Sequence, residues 1–473
     1  MEAYKAEFIQ FLIDTGALKI GGPFKLKSGR MSPYFLNAGD FSSGADLTKI
    51  GEAYAEAAQH SIGLDKFDIV YGPAYKGIQL AVATSMGLSR RGADKGFVYN
   101  RKEAKMHGEA TGSATTKEQL QKEIMVGRWL KDGSNVLMVD DVFTTGETKE
   151  EALKILRAVA NDVRVVAGLI AVDRQEINED GEAAITQFTK ATGIPFYAVV
   201  TVSDIIDYLK ENNKLSPNDE AALKRYLRAW GTREVREKYG LGEERLIEGN
   251  SVIPACDVDI EKFEEIVKST KDEPLIGGYK LPATAGHEGW LACIEIARRH
   301  TSKPLIYDHQ KAGNDIPDTA QRFMEKLKLA GFDAVIIFPH SGPRTQVAWT
   351  GEALQQGLQV LVGADMTHEK YKRSEGGYIS DEALEEIYIR AARQGVTHFV
   401  VPGNKTDRIA LYRQLIQAEG VKPIFFAPGF VAQGGSISDA AKAAGDNWHA
   451  IVGRGIYAAP DIKAAVKELT SQL

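Results

Sequence analysis

Cysteine is almost absent from this chain, with two residues, Cys256 and Cys293, among 473. Two thiols cannot build a disulfide framework, and such scarcity points to a reducing compartment, the cytoplasm. Long apolar runs are also missing. No stretch approaches the ~20 uninterrupted apolar residues of a membrane span, and the N-terminal MEAYKAEFIQFLIDTGALKIGG reads as an amphipathic helix broken by acids, not as a signal peptide. Nor is there a surplus of positive charge. Lys and Arg number 58 against 64 Asp and Glu, a net charge of −6, so nothing draws the whole chain to nucleic acid or a membrane surface. Phosphate binding must be local. A His/Cys metal site finds no support, and no repeat or low-complexity tract appears. What is present, 44% hydrophobic and 26% charged residues, is the mix of a folded globular protein. The length suggests two or three domains at roughly 100–200 residues each.

Strands and helices alternate through both halves, the pattern of parallel α/β folds. In the first half the strand candidates are KFDIVYG (66–72), NVLMVDD (135–141), VRVVAGLIAV (163–172) and PFYAVVTV (195–202). The polar, helix-forming stretch 203–239 reads as the closing helices of a first domain, residues 1–240. A charged linker, 241–250, leads to a second domain, 251–473. There, eight apolar runs begin SVIPAC, PLIGGY, KPLIYD, DAVIIFP, LQVLVGA, THFVVPG, KPIFFAP and HAIVGR, each followed by a helical stretch. Eight such units in a little over 220 residues predict a (β/α)8 barrel, although alternation alone also fits a doubly wound sheet.

The most informative stretch is VLMVDDVFTTGET, residues 136–148. An apolar strand delivers Asp140 and Asp141 to its C-terminal end, where the carboxylates can accept hydrogen bonds from ribose 2′- and 3′-hydroxyls. Loop amides, the hydroxyls of Thr144, Thr145 and Thr148, and the following helix N-terminus suit a 5′-phosphate dianion. Gly146 permits close backbone approach. An ordinary strand–turn–helix with a polar cap is the bland alternative, but paired acids followed by TTGET are rarely accidental.

This motif is similar to that of type I phosphoribosyltransferases, a Rossmann-like parallel α/β fold that uses phosphoribosyl pyrophosphate with Mg²⁺. FKLKSGRMSPYFLNAG (24–39), YGPAYKGI (71–78), NRKEAKMHGE (100–109) and VDRQE (172–176) narrow the match. Together they resemble the orotate phosphoribosyltransferases over most of residues 1–240. Tyr34 and Phe35 offer flat faces to a pyrimidine, and Lys27 and Arg174 supply cations for orotate. Tyr75 and Lys76 would line the pyrophosphate side. Arg101, Lys102, Lys105 and His107 form a cationic set that can neutralise departing pyrophosphate on a loop able to close. The resemblance implies catalytic roles for Lys105, His107, Asp140 and Asp141, with Mg²⁺ carried by the donor. It also implies a homodimer or higher oligomer, because in the family this loop reaches into the neighbouring subunit. One departure is the length of 107–140, which exceeds that of bacterial orotate enzymes and holds an extra helical piece near EQLQKEIMVGRWL.

In the second half, KPLIYDHQKAGNDIPDT places Asp308, Lys311 and Asp315 after the third strand. The first strand ends in Asp257 and the second in Lys280, giving cations and acids at the strand ends where such barrels carry catalysis. Gln433 and Arg454, with glycine-rich turns, suit a phosphate after strands seven and eight. These residues, with Thr367 in DMTH, resemble orotidine-5′-monophosphate decarboxylases. The resemblance implies decarboxylation with no metal or organic cofactor: Lys311 at the carbanion, Asp308 by the departing carboxylate, Lys280 ordering the acids, Asp315 from a partner subunit, and Asp257, Thr367, Gln433 and Arg454 holding the ribotide. The two-domain order resembles the bifunctional UMP synthases of pyrimidine biosynthesis, with orotate, phosphoribosyl pyrophosphate and the ribotide as small-molecule partners.

The usual D-x-K-x-x-D spacing is stretched here to D-x-x-K-x-x-x-D, which suggests a divergent branch. Three alternatives stay open: a barrel acting on another sugar phosphate, a barrel serving only to oligomerise, and a nucleotide or RNA sensor built on the transferase fold. His60, His300 and His398 read as surface or helix-end residues, His340 and His368 lie at strand ends, and Cys256 reads as core.

Overall fold

A computed structural model describes the chain except residues 27–28, 38–40, 102–115, 144–145, 179, 243–244, 283–285, 309–314 and 431–434. Contacts divide it into two units, Met1–Asn178 with Glu182–Leu223, and Lys224–Leu473 with the short piece 179–181. The division falls inside the helix Pro217–Trp230, so the stretch expected to close the first domain is shared. Within the second unit, Trp230 donates from its ring nitrogen to Gln355 at 2.7 Å. It also covers Gly351, where a Cβ would lie 2.2 Å from the indole.

The first unit opens with the helix Ala3–Asp14. Strands β1 (Leu18–Lys25) and β2 (Met31–Leu36) then pair antiparallel as a separate hairpin. The main sheet contains β3 (Ile69–Gly72), β4 (Gly96–Asn100), β5 (Met125–Gly127), β6 (Asn135–Val142), β7 (Arg164–Asp173) and β8 (Phe196–Thr201), in the order β5-β4-β3-β6-β7-β8. Every pairing is parallel except β4 with β5. The expected parallel sheet therefore carries one antiparallel edge strand. The extra helical piece is the helix Lys117–Ile124, opened by a capping box between Thr116 and Gln119, and it runs directly into β5.

Strands β3 and β6 lie side by side at the centre. From them the chain builds outward in opposite directions, which opens a crevice beyond their C-terminal ends. That topology brings the loop after β3 and the loop after β6 to one place.

The second unit is a closed barrel of β9 (Ser251–Pro254), β10 (Tyr279–Pro282), β11 (Leu305–Asp308), β12 (Ala334–Ile337), β13 (Gln359–Gly363), β14 (His398–Val400), β15 (Ile424–Pro428) and β16 (Trp448–Val452). All named neighbours are parallel. Bridges Val252–Ile276 and Ala255–Lys280 close β9 onto β10. Inside, Ile253, Ile306, Ile336, Leu361, Val400, Phe426 and Ile451 form one apolar cluster.

Two expectations are corrected here. The run PLIGGY mostly precedes its strand: a Cβ would sit 2.2 Å from Ser251 Oγ at Gly277 and 2.7 Å from the Pro304 carbonyl at Gly278, so the glycines allow close approach to β9 and to the start of β11, and β10 begins at Tyr279. Lys280 thus lies within the strand, not at its end. His398 is not at the surface but fully buried at the start of β14, beside Gln359 and Thr397 at 3.0 and 2.9 Å. Among the described residues no helix is long and apolar enough to cross a membrane.

Candidate active sites

In the first unit, β6 ends in the two predicted carboxylates, both buried. Each is held in the same way. Asp140 Oδ1 accepts from the Asp141 amide at 3.0 Å, and its Oδ2 accepts from Lys149 Nζ at 2.5 Å. Asp141 Oδ1 accepts from the Val142 amide at 2.8 Å, and its Oδ2 accepts from Lys76 Nζ at 2.6 Å. Tyr54, fully buried, donates its hydroxyl to the Asp140 carbonyl at 2.8 Å. Burial raises the Asp140 carboxyl above its usual value; Lys149 opposes the shift and Asp141 adds to it. Lys76 reaches this site because it opens the helix Lys76–Arg90 directly after β3.

Gly146 takes a left-handed φ of 88° and caps the helix Glu147–Val159. Thr148 on its first turn and Arg101 after β4 line one cavity of about 60 Å³ with Tyr71, Asn100 and Glu151. Asn100 fixes that wall by accepting from the Tyr71 hydroxyl at 2.8 Å and the Ala74 amide at 3.2 Å. Tyr75 is exposed. Thr144, Thr145, Lys102, Lys105 and His107 lie outside the described residues, as does Lys27.

The predicted orotate residues divide. Tyr34 and Phe35 are successive on β2, so they face opposite sides of the hairpin. Tyr34 is 2% exposed, with the Arg174 guanidinium 4.4 Å over its ring and its hydroxyl donating to Glu176 at 2.6 Å. Arg174 in turn pairs with Glu176 at 2.7 Å. Tyr34 and Glu176 therefore aim Arg174, while Phe35 sits near Phe24 at 6.0 Å between centroids. Arg30 ties the hairpin to the same segment by donating to the Ile177 carbonyl at 2.7 Å.

In the barrel, alternation along the strands sets the site. Tyr279 points outward to Thr270, 2.9 Å away, and Lys280 inward. Tyr307 packs outward on Trp290 and Phe332, and Asp308 inward. Lys280 Nζ donates to Asp308 Oδ2, with the two side chains 5% and 0% exposed. Burial works against the Lys280 charge, but Asp308 and Asp257 outweigh it and raise its pKa. Asp315 is exposed. Its carbonyl accepts from Thr345 Oγ1 at 3.2 Å, and the neighbouring Ile316 carbonyl accepts from the Trp349 ring nitrogen at 3.3 Å. Lys311 and Gln433 lie outside the described residues. Arg454, exposed, begins the short helix that follows β16. Cys256 is buried, and its thiol is pushed up by that burial.

Sequence reasoning missed Asp365 at the end of β13. This buried carboxylate accepts from Tyr412 at 2.9 Å and the Met366 amide at 2.8 Å, with Lys405 at 3.5 Å and Arg408 at 3.7 Å. Beside it, Asn404 donates to the Thr367 carbonyl at 3.0 Å. The signal was available, because Asp365 is an acid at a barrel strand end, as Asp308 is. Among the described residues, no group of three or more His, Cys, Asp or Glu is placed to hold a metal ion.

Residues 45–184 match the phosphoribosyl transferase domain model, and 251–469 match the orotidine 5′-phosphate decarboxylase / HUMPS family. The orotate phosphoribosyltransferase of Methylococcus capsulatus is 40% identical over 233 residues, which is 49% of this chain and 100% of that protein. The chain belongs to the orotate phosphoribosyltransferase family. The Lachnoclostridium phytofermentans member is 42% identical over 211 residues, 44% of this chain and 87% of that protein. A Leishmania donovani UMP synthase structure matches at 26% identity and a TM-score of 0.37, over 48% of this chain and 42% of that one. The second half matches a family that joins orotidine 5′-phosphate decarboxylases with HUMPS, and it follows the transferase half in one chain.

Proposed function

We propose that the first half converts orotate and phosphoribosyl pyrophosphate to orotidine 5′-monophosphate and pyrophosphate, and that the second half converts this ribotide to UMP and CO₂. One observation carries the reading: a transferase half related to orotate enzymes is joined to a barrel whose matched family includes the decarboxylases that take the product of that transfer.

In the transferase, Asp140 and Asp141 accept hydrogen bonds from the ribose 2′- and 3′-hydroxyls. The TTGET turn, with Thr144, Thr145, Gly146 and Thr148, binds the 5′-phosphate. Orotate lies against Phe35, with Arg174 and Lys27 on its carboxylate and ring oxygens. Its ring nitrogen attacks the anomeric carbon as the bond to pyrophosphate breaks, and the N–H proton passes to the departing pyrophosphate or to solvent. Mg²⁺ enters with the donor, and Lys76, Arg101, Lys102, Lys105 and His107 stabilise the departing charge. The donor's pyrophosphate competes with Asp141 for Lys76, whose side chain is 56% exposed.

In the barrel, the bond between C6 and the carboxylate breaks, CO₂ leaves, and the electron pair stays on C6, where Lys311 delivers a proton. Asp308 faces the departing carboxylate, and Lys280 fixes it in place. Gln433 and Arg454 hold the phosphate, Thr367 and Asp257 the nucleoside, so that binding remote from C6 serves the chemical step. The step calls for no metal or organic cofactor. The enzyme works as a homodimer or higher oligomer in the cytoplasm, with Asp315 offered to the partner's site and the domains divided at 1–240 and 251–473.

Incubation with orotate, phosphoribosyl pyrophosphate and Mg²⁺, followed by chromatography, tests the reading. UMP is the expected product. The ribotide alone would refute the decarboxylase half, and no turnover would refute both.

A further inference from the structure

Lys149 occupies an unusual place. It falls on the apolar face of the helix Glu147–Val159, in line with the buried Ala152, Leu153 and Leu156, where a helix of this kind ordinarily places an aliphatic residue. Its side chain is 5% exposed. Its ammonium donates to Asp140 Oδ2 at 2.5 Å and to the Val142 carbonyl at 2.8 Å, and it lies 5.4 Å from the centre of the Phe143 ring. A cation withdrawn from water to this extent is costly unless it is paired and hydrogen-bonded. Here it is both.

The two lysines of the carboxylate pair are not equivalent. Lys76 is open to solvent and starts a helix beside the crevice. Lys149 is buried, bonded to Asp140 and to the Val142 carbonyl. Asp140 is thereby gripped at three atoms: its carbonyl by Tyr54, Oδ1 by the Asp141 amide and Oδ2 by Lys149. Each carboxylate oxygen can accept more than one hydrogen bond, so this grip leaves acceptor positions for a sugar hydroxyl.

We propose that Lys149 is a positioning residue of the transferase, holding Asp140 oriented for the ribose hydroxyls of the donor; this rests on the transferase reading given above. It acts through Asp140 and does not touch substrate. Lys76 exchanges its carboxylate for the donor's pyrophosphate, whereas Lys149 stays in place throughout the cycle.

The test uses the full chain, and the unsubstituted protein is assayed first for orotate-dependent pyrophosphate release. If that protein is inert, the transferase reading itself fails. If it is active, Lys149→Met should raise KM for phosphoribosyl pyrophosphate by about 10- to 100-fold, the range expected for a lost hydrogen bond to a charged group. KM for orotate should move by less than about twofold, because the Arg174 cluster is built from other elements. In an Asp140→Asn background the same substitution should add less than about threefold, since both changes remove one interaction. Should Lys149→Met not fold, Lys149→Gln, which keeps a donor, carries the same prediction with a rise of about threefold. Unchanged donor KM, a fall in kcat alone together with lower thermal stability, or a full additive loss in the Asp140→Asn background would each overturn the proposal.

Discussion

Both halves set lysine against carboxylate at the end of a parallel sheet, and they do so in opposite ways. In the barrel, Lys280 and Asp308 project from neighbouring strands, β10 and β11, and both are sealed. In the transferase, the carboxylates come from β6, while Lys76 comes from the helix after β3 and remains 56% exposed. A pair fixed on the sheet itself is assembled before substrate arrives and has no freedom to part. The Lys76–Asp141 pair, with its cation exposed, can open, whereas the sealed Lys149–Asp140 pair cannot. The proposed chemistry differs accordingly: the barrel would hold a charge beside a carboxylate that leaves as a neutral gas, whereas the transferase would release a cation to a polyanionic leaving group.

The largest test of this contrast is Lys311→Ala. Decarboxylation should fall by at least about a thousandfold, as expected for loss of a proton donor that also stabilises the carbanion, while transfer persists and the ribotide accumulates on chromatography. Loss of both activities in a folded variant would break the separation of sites. Next in size, Lys280→Met should lower the stability of the barrel by about 3–5 kcal/mol in urea unfolding, because it breaks a buried ion pair from one side. Lys76→Met should change the transferase unit by no more than about 1 kcal/mol, since an exposed pair is screened by solvent. Equal costs would erase the distinction drawn above.

Arg174→Met should raise KM for orotate by about 10- to 100-fold and leave the barrel reaction on added ribotide unchanged, the value of a charge-assisted contact. Last is a pH effect confined to the barrel. Burial, with some help from His398, pushes His449 down to about 3 from 6.5. As pH falls the unfolded chain takes up this proton first, so the stability owed to a neutral His449 is complete above about pH 6.5 and is lost toward pH 3. The slope should be at most about 1.4 kcal/mol per pH unit, and His449→Asn should flatten it in urea titrations across pH 4–7.

Much of this was legible in the sequence, and the gaps have physical causes. The run VLMVDDVFTTGET is continuous, so strand, acids and helix start all appear in one reading frame, and β6 and the helix Glu147–Val159 lie where it implies. The barrel's eight strands were visible as apolar runs because strands buried on both faces lose the polar alternation. Short edge elements were not: β5 spans three residues, and β1 contains Gly21, Gly22 and Pro23, which mask its pattern. Lys149 was missed because a lysine early in a helix normally reads as solvated. Only its phase with Ala152, Leu153 and Leu156 gives it away. Asp365 needed the fold, since its partners Lys405, Arg408 and Tyr412 lie some forty residues on and approach it only when β13 and β14 pair. Tyr34 and Phe35 looked equivalent as adjacent rings, and strand alternation separates them.

The central claim is that one active site supplies the other within a single chain. Orotate labelled with ¹⁴C at its carboxyl group tests it most directly. Labelled CO₂ should appear only when phosphoribosyl pyrophosphate and Mg²⁺ are both present, and in amounts equal to the pyrophosphate released. Pyrophosphate formed without labelled CO₂ would contradict the account.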